Sequence, residues 1–517
     1  MPEKTLKKLN SYILPQWKIC FLGAILVGLI AHLYKITNWL PNWDSLVFRY
    51  DSQNMLGLGR WFLPVVCSFT SFYDLPFLNG LVAILFHAAA AVGICKILNV
   101  QKKLPAFLIG AVIVSFPTVT SVMMYNYVAD GYGVAFFLSV LAAVFMTKDK
   151  PSYIVGAIFI MLSTAIYQAY ITVTIMLVLF KLIDEIIYGD IPFKITFKKI
   201  LAMIATGILG MVMYYAILKI LLSVFSVGLK DYQGIGSAMS FSGINLRDSL
   251  YYIKHTFLGC FFDFSKGVNV FVVLNIIIFA FTSFHYIKYI FVNKIYKNPA
   301  KILLLPIMAV MLVIGAGVLA FINPGIDYHN LMLMGYSIFY IFFLALYERG
   351  ADSDRKHTCI KCWTIFIVST VLIANQIVIS NVSYHKAQLA YEKSYGVLVR
   401  IDERIEEIPE ADKCNRIMVV GALDNSSDYS VNLTPDITGI TDGYIIRADD
   451  ETVGQSVLCS ALNDYCDKDY TFVAGKEKEN LLKRKEVKAL GKWPSKDCVA
   501  VIDDVIVIKL GVESESE

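Results

Sequence analysis

The chain has 517 residues, 57% of them apolar and 17% charged. Soluble domains run at about 45–50% apolar and about 25% charged, so this balance excludes a soluble enzyme, a nucleic-acid binder and a disordered scaffold. The net charge of +4 divides unevenly: residues 1–380 carry 29 Lys+Arg against 16 Asp+Glu, and residues 381–517 carry 17 against 26. The two parts, +13 and −9, read as a polytopic membrane domain (1–381) and a water-facing α+β domain (382–517).

Lys4, Lys7 and Lys8 precede an apolar stretch at 19–33 with no small-residue cleavage pattern after it, which reads as an uncleaved first span. A membrane-crossing helix needs about 20 mainly apolar residues. That criterion places spans near 17–35, 77–98, 104–121, 131–147, 152–167, 169–188, 200–226, 268–290, 302–322, 331–347 and 362–381, eleven in all. The pair at 152–188 must fold back around Tyr167-Gln168-Ala169; as one tilted helix it would make the count ten and reverse everything after it. The positive-inside bias favours eleven. With the N-terminus in the cytoplasm, 21 basic residues fall in inner segments and seven in outer ones: Lys35, Arg49, Arg60, Lys230, Arg247, Lys254 and Lys266. Lys219 lies within a span near its outer end, where it would snorkel to the interface. The same orientation puts the acidic C-terminal domain outside the cytoplasm.

The first outer segment, 36–76, starts polar and turns amphipathic at 61–72, a stretch too short to cross and therefore interfacial or re-entrant. Segment 228–267 is Gly/Ser-rich, then aromatic. After the last span a helix continues over 385–408, with Val397, Ile401, Ile405 and Ile408 on one face. A strand at 417–420 ends at Gly421, and 499–502 joins 505–510 through Asp503-Asp504 as a hairpin. The tail has no nucleophile elbow, phosphate loop or metal-ligand cluster. Cys359 and Cys362 form one C-x-x-C without a second pair, a poor zinc signal. Cys414, Cys459, Cys466 and Cys498 would form two bridges in an oxidising compartment or stay reduced.

Charges beside a bilayer are costly, about 2.5–3.5 kcal/mol each at a helix centre, so they single out candidate sites. The first outer segment is richest: Trp43, Asp44, Arg49, Asp51, Arg60 and Trp61. A solvated loop with ordinary ion pairs is one reading. A site for a phosphorylated lipid is the other: Arg49 and Arg60 offer planar forks to phosphate oxygens, and Asp44 or Asp51 a general base. Gly59 would let the backbone approach a headgroup. Tyr127, with Asn126 and Asp130, the pair Tyr167-Gln168, and Asp327 with His329 lie on the same side in this topology, and His32 would join them. His87 and His285 read as structural.

An Asp-containing first outer loop followed by Gly59-Arg60-Trp61, a Tyr167-Gln168 pair on a membrane hairpin, a short late loop and a terminal domain closing on Trp493-Pro494 and a hairpin resemble the type II glucosyltransferase family. That family modifies O-antigen and related bacterial surface glycans. The resemblance implies a mainly α, GT-C-like membrane fold and a transferase moving glucose or a similar sugar. It implies a polyprenyl-phosphate-linked donor and a surface glycan acceptor on the outer face of the cell membrane. It implies Asp44 or Asp51 as catalytic base and Arg49 and Arg60 at the donor phosphate. Trp43, Trp61, Tyr127, Asp130, Tyr167, Gln168, Asp327 and His329 would line the substrate. Where members often carry paired acids this chain has Asp44-Ser45, and where they often carry an Arg it reads Asp327-Tyr328-His329-Asn330. No cofactor is called for, and a divalent cation is left open. A flippase or transporter of a lipid-linked glycan would want mid-membrane polar residues and internal repeats, and neither stands out. A polymerase or ligase of surface polysaccharide shares the lipid donor, and product analysis separates it.

Overall fold

The computed structural model describes residues 2–4, 11–48, 55–71, 73–189, 191–230, 245–265, 267–324, 328–349, 355–423, 437–441, 443–446 and 453–511. The candidate residues Arg49, Asp51 and Asp327 lie outside them. Two compact units emerge, each with its own packing. The first is Met1–Thr37, Ser52–Asn381 and Pro435–Thr438; the second is Asn38–Asp51, Val382–Thr434 and Gly439–Glu517.

The first unit is helical: α1 (Pro15–Thr37), α2 (Pro76–Ile97), α3 (Lys103–Ser115), α4 (Pro117–Met124), α5 (Ala129–Thr147), α6 (Tyr153–Ile166), α7 (Ile171–Tyr188) and α8 (Phe193–Val224) come first. Then follow α9 (Leu246–Phe261), α10 (Val270–Val292), α11 (Pro299–Ala316), α12 (Ile338–Ala345) and α13 (Arg355–Glu406), the last of which runs on into the second unit. Among the described residues seven helices are long and apolar enough to cross a membrane, or eight if the bent pair α3–α4 is one span. The 44° bend of that pair falls at Pro117, which lacks the N–H that would continue the helix. The other expected crossings are shorter or more charged. α6 has 14 residues, and α7 has 18 but carries Lys181, Asp184 and Glu185. The chain breaks between α6 and α7 into a 3₁₀ turn, Gln168–Tyr170, so 152–188 is not one continuous helix.

α1 packs on α2 and α3, and α5 on α2 and α6. Close approach rests on small residues: a Cβ on Gly110 would stand 2.3 Å from the Cys20 carbonyl oxygen of α1. Buried histidines are spent on carbonyls: His32 Nε2 lies 2.9 Å from Val114 O, His87 Nδ1 2.8 Å from Ala83 O and His285 Nδ1 3.0 Å from Phe281 O. The structural reading of His87 and His285 thus extends to His32, which was expected among the outer polar groups. At the C-terminal end of α7, Arg349 grips Asp184 with two nitrogens, 2.7 and 3.0 Å, and donates to Leu98 O at 2.6 Å.

In the second unit four strands take the order β2-β1-β4-β3: β1 (Arg416–Val420), β2 (Thr471–Phe472), β3 (Val499–Ile502) and β4 (Val505–Lys509). β1 runs parallel to β2 and β4, and β3–β4 is the antiparallel hairpin that the sequence indicated. Asp503 and Asp504 both take positive φ, 51° and 58°, as the twist-matched two-residue turn demands. Leu398, Ile401 and Ile405 of α13 pack in one core with Leu458 and Leu462 of α14 (Val453–Cys466), and Leu481 and Val487 pack in another with Met418 and Val507. Gly421 ends β1 at φ +70°, where a Cβ would lie 2.4 Å from Gly511 backbone carbon. Trp493 donates its N–H to Lys509 O at 2.9 Å and carries the Arg400 and Arg404 guanidiniums at 4.6 and 4.5 Å from its ring centre.

The ten cysteines are separate thiols. Burial pushes the Cys459 thiol up to about 11, and burial with the Asp402 carboxylate beside it pushes Cys466 up to about 12. A raised thiol pKa makes the reactive thiolate scarce at neutral pH and restores it only as pH rises toward that value. Alkylation of Cys459 and Cys466 by iodoacetamide, followed by peptide mass spectrometry, is therefore expected to be slow at pH 7. Its rate should climb about tenfold per pH unit through pH 9 without levelling. A plateau near pH 8 would contradict the environment described.

Candidate functional site

The segment after the first helix returns to the first unit as a tight loop whose carbonyls are all occupied. Arg60 N donates to Met55 O (2.8 Å), Gly59 N to Leu56 O (3.0 Å) and Lys230 N to Gly57 O (2.9 Å). Gln168 Nε2 donates to Leu58 O at 3.0 Å, and the Tyr214 hydroxyl donates to Gly59 O at 3.0 Å. Gly59 sits at φ +74°, and a Cβ there would stand 2.5 Å from the Tyr214 hydroxyl and 3.1 Å from Gln168 Nε2. Only glycine meets both the backbone angle and the close approach.

This loop presents Arg60. Its Nη1 donates to the Tyr132 hydroxyl at 3.2 Å, and its guanidinium carbon lies 4.8 Å from the centre of the Tyr167 ring. Tyr132 and Tyr167 are stacked, 4.5 Å apart and 18° from parallel, and both meet Tyr170 edge-on at 6.4 and 5.9 Å. The three tyrosines come from the first turn of α5 and the break between α6 and α7. A planar cation is thus held on a planar aromatic shelf, with the electrostatic attraction of the ring faces added to stacking.

Two carboxylates fasten the segment that follows. Beyond a short helix, Leu63–Cys67, and a 3₁₀ turn, Ser68–Thr70, Asp130 accepts from Thr70 Oγ1 at 2.9 Å and from Cys67 Sγ at 3.6 Å. Asp130 is only 2% exposed, so its carboxylate anchors 67–70 to the start of α5. Asn126 Nδ2 donates to Asp74 Oδ1 at 2.6 Å, and Asn79 Nδ2 donates to Asn126 O at 3.0 Å. Phe69 stands 90% exposed and Val65 56%, which gives this segment an apolar outer side.

The structure therefore brings together Arg60, Tyr167 and Gln168, with Asp130 holding the adjoining turn. Trp61 packs instead against Met161, Ala165 and Leu218, and Tyr127 is buried in the turn Asn126–Val128. His329 precedes the turn Asn330–Met332, whose Asn330 carbonyl accepts from Thr118 Oγ1 at 2.8 Å. Trp43 and Asp44 form the first turn of Trp43–Val47, capped by Asn42 Oδ1 on Ser45 N at 2.8 Å, and they belong to the second unit, where Trp43 packs on its core. Tyr132, Tyr214, Thr70 and Asp74 were not anticipated. A tyrosine two residues after Asp130, and another beside Tyr215 in the apolar stretch of α8 between Lys199 and Lys219, are the only sequence signals of the first two. Among the described residues no group of three or more His, Cys, Asp or Glu is placed to hold a metal ion.

The sequence profile described as Glucosyl transferase GtrII matches residues 33–342 and so contains every residue of the Arg60 shelf. The chain belongs to the GtrII family. As a family member with several long apolar helices, it is a glycosyltransferase of the membrane. No curated protein and no solved structure matches the chain. The match ends at residue 342, before α13 and the sheet of the second unit.

Gly59→Ala tests whether this family member needs the loop in its present form. The substitution combines a left-handed backbone, worth roughly 1–2 kcal/mol against alanine, with a contact that must be relieved by moving Tyr214 or Gln168. Sugar transfer in membranes matched for protein level is expected to fall about tenfold or more. Unchanged transfer would show that the loop tolerates displacement.

Proposed function

We propose that this GtrII family member transfers glucose or a similar hexose from a polyprenyl-phosphate donor to a cell-surface glycan, on the face of the membrane away from the cytoplasm. The observation that carries the reading is the Arg60 guanidinium, held on the Tyr132–Tyr167 shelf at the end of apolar helices. A fixed cation at that place suits the phosphate of a lipid-linked sugar, whose chain stays in the bilayer. In the reaction, an acceptor hydroxyl oxygen bonds to the anomeric carbon. The bond to the phosphate oxygen breaks, its electron pair leaves with the polyprenyl phosphate, and a carboxylate takes the hydroxyl proton. Arg60, with Arg49, stabilises the charge gained by the leaving phosphate, and Asp44 or Asp51 is the base. Tyr167 and Gln168 hold the donor side, with Asp327 and His329 facing the sugar or acceptor.

An eleven-span arrangement supports this orientation. The seven long helices and the α3–α4 pair make eight, and α6, α7 and the apolar stretch Met334–Ala345 supply three more crossings. Fourteen helical residues rise about 21 Å, less than the hydrocarbon thickness of about 30 Å, so α6 would be completed by the turn that follows it. The excess of Lys and Arg in the even-numbered connections supports an N-terminus in the cytoplasm and a 382–517 domain on the opposite side.

The deciding experiment supplies radiolabelled polyprenyl-phosphate glucose, or nucleotide glucose alone, to membranes lacking other lipid-linked glucose. Transfer is expected only with the lipid donor. Arg60→Gln should reduce it about 100-fold, and Arg60→Lys less, because lysine keeps the charge without the planar fork. Asp44→Asn and Asp51→Asn compared side by side identify the base. Full transfer from the nucleotide sugar, or an active Arg60→Gln protein, would overturn the proposal.

A further inference from the structure

A second cavity lies in the same unit, far from Arg60. It measures about 440 Å³, within the roughly 300–1,000 Å³ of small-ligand sites, and is walled by α7, α10, α11 and α12. Ile183 and Ile187 of α7 line it, whereas the Arg60 shelf ends at Tyr170, in the turn just before α7; the thirteen steps from Tyr170 to Ile183 rise about 20 Å. The cavity therefore belongs to the opposite end of α7, the end that carries Asp184 and Arg349. Its floor is buried aliphatic side chain, Ile278, Leu305 and Leu312, and its rim includes Ile287, 54% exposed, so it opens on the apolar outer face of α10.

Two features narrow what would fill it. The first is charge. The α10–α11 connection, which follows the cavity-lining Ile290 of α10, carries Lys294 and Lys297, Lys301 lies in the first turn of α11, and the sequence holds no acid between Asp263 and Asp327. Three described acids at this end are engaged elsewhere: Asp184 with Arg349 (2.7 Å), Glu185 with Lys199 (2.7 Å), and Glu348 with the Gln101 and Lys102 amides (2.9 and 2.6 Å). The second is polarity within the wall. Thr282 Oγ1 and the Tyr286 hydroxyl are buried with no partner among the described residues. A buried hydroxyl without a partner is costly, and both can donate.

We infer that this cavity binds one acyl chain of an anionic glycerophospholipid, with the phosphate at Lys294 and Lys297 and an ester carbonyl accepting from Thr282 or Tyr286. A fatty-acyl ester provides what the wall lacks, an acceptor at the head of an apolar chain. A polyprenyl chain has no such acceptor in its hydrocarbon, so the site differs in chemistry as well as place from the one around Arg60. The bound lipid would fill the gap between α7, α10 and α11 and is independent of the sugar reaction.

Native mass spectrometry of the full-length protein in mild detergent, with equimolar phosphatidylglycerol, phosphatidylcholine and undecaprenyl phosphate, tests this. Phosphatidylglycerol is expected to be retained about fivefold or more over phosphatidylcholine, in keeping with attraction by two or more lysines. Ala309→Trp, which fills the cavity, should lower retention at least fivefold. Lys294→Gln with Lys297→Gln should abolish the headgroup preference while both phospholipids still bind. Thr282→Val, nearly isosteric, should weaken retention severalfold, and this variant and the lysine pair decide the matter if Ala309→Trp lowers the unfolding midpoint. Equal retention of the two phospholipids, loss of undecaprenyl phosphate rather than phosphatidylglycerol in Ala309→Trp, or retention indifferent to the deciding variants would overturn the inference.

Discussion

Interrupting a helix in or beside a bilayer releases carbonyls and amides that water is not there to satisfy, and each must then find a partner inside the protein. The loop from Met55 to Gly59 meets this constraint carbonyl by carbonyl, with three acceptors filled by backbone amides and two by the side chains of Gln168 and Tyr214. Because those two side chains come from the α6–α7 break and from α8, satisfying the loop also fixes it against two other parts of the unit. The position of Arg60 follows from that arrangement. A looser loop would leave the guanidinium on a mobile tether, where a phosphate would have to order it on binding.

The same constraint explains why so many polar residues at this end are not free for chemistry. Asp130 holds Thr70 and Cys67, and Asp74 holds Asn126, so two carboxylates are used to close turns. Arg60 lies against the Tyr167 ring face and the Tyr132 hydroxyl, which orient its planar guanidinium. At the far end of α7 the bidentate Arg349–Asp184 pair ties down a carbonyl of the α2 end.

Much of the fold is legible in the chain because hydropathy records burial in lipid directly. The ends of α1, α2 and α5 fall within a few residues of the apolar stretches, and the β3–β4 hairpin is announced by two Asp between alternating β-branched residues. The difficulty lies in the short helices. A 14-residue helix followed by a 3₁₀ turn and a 20-residue span have almost the same composition at α6, and only hydrogen-bond geometry separates them. Of the candidate site, Arg60, Tyr167 and Gln168 stand out because polar groups are rare in such surroundings. Tyr132 and Tyr214 do not, since a tyrosine in an apolar helix usually reads as core and its hydroxyl acquires meaning only from what lies across the gap.

The sequence by itself determined the membrane class, the division of charge between a basic helical part and an acidic tail, and membership in the GtrII family. All of these depend on composition and on short motifs carried along the chain. Tertiary structure alone decided which polar residues close the backbone and which meet around Arg60. That assignment depends on distances of about 3 Å between groups more than 40 residues apart, such as Arg60 with Tyr132, Thr70 with Asp130 and Gly59 with Tyr214. Linear patterning carries no measure of such distances, because the choice of partner is made by helix packing after the apolar surfaces have come together.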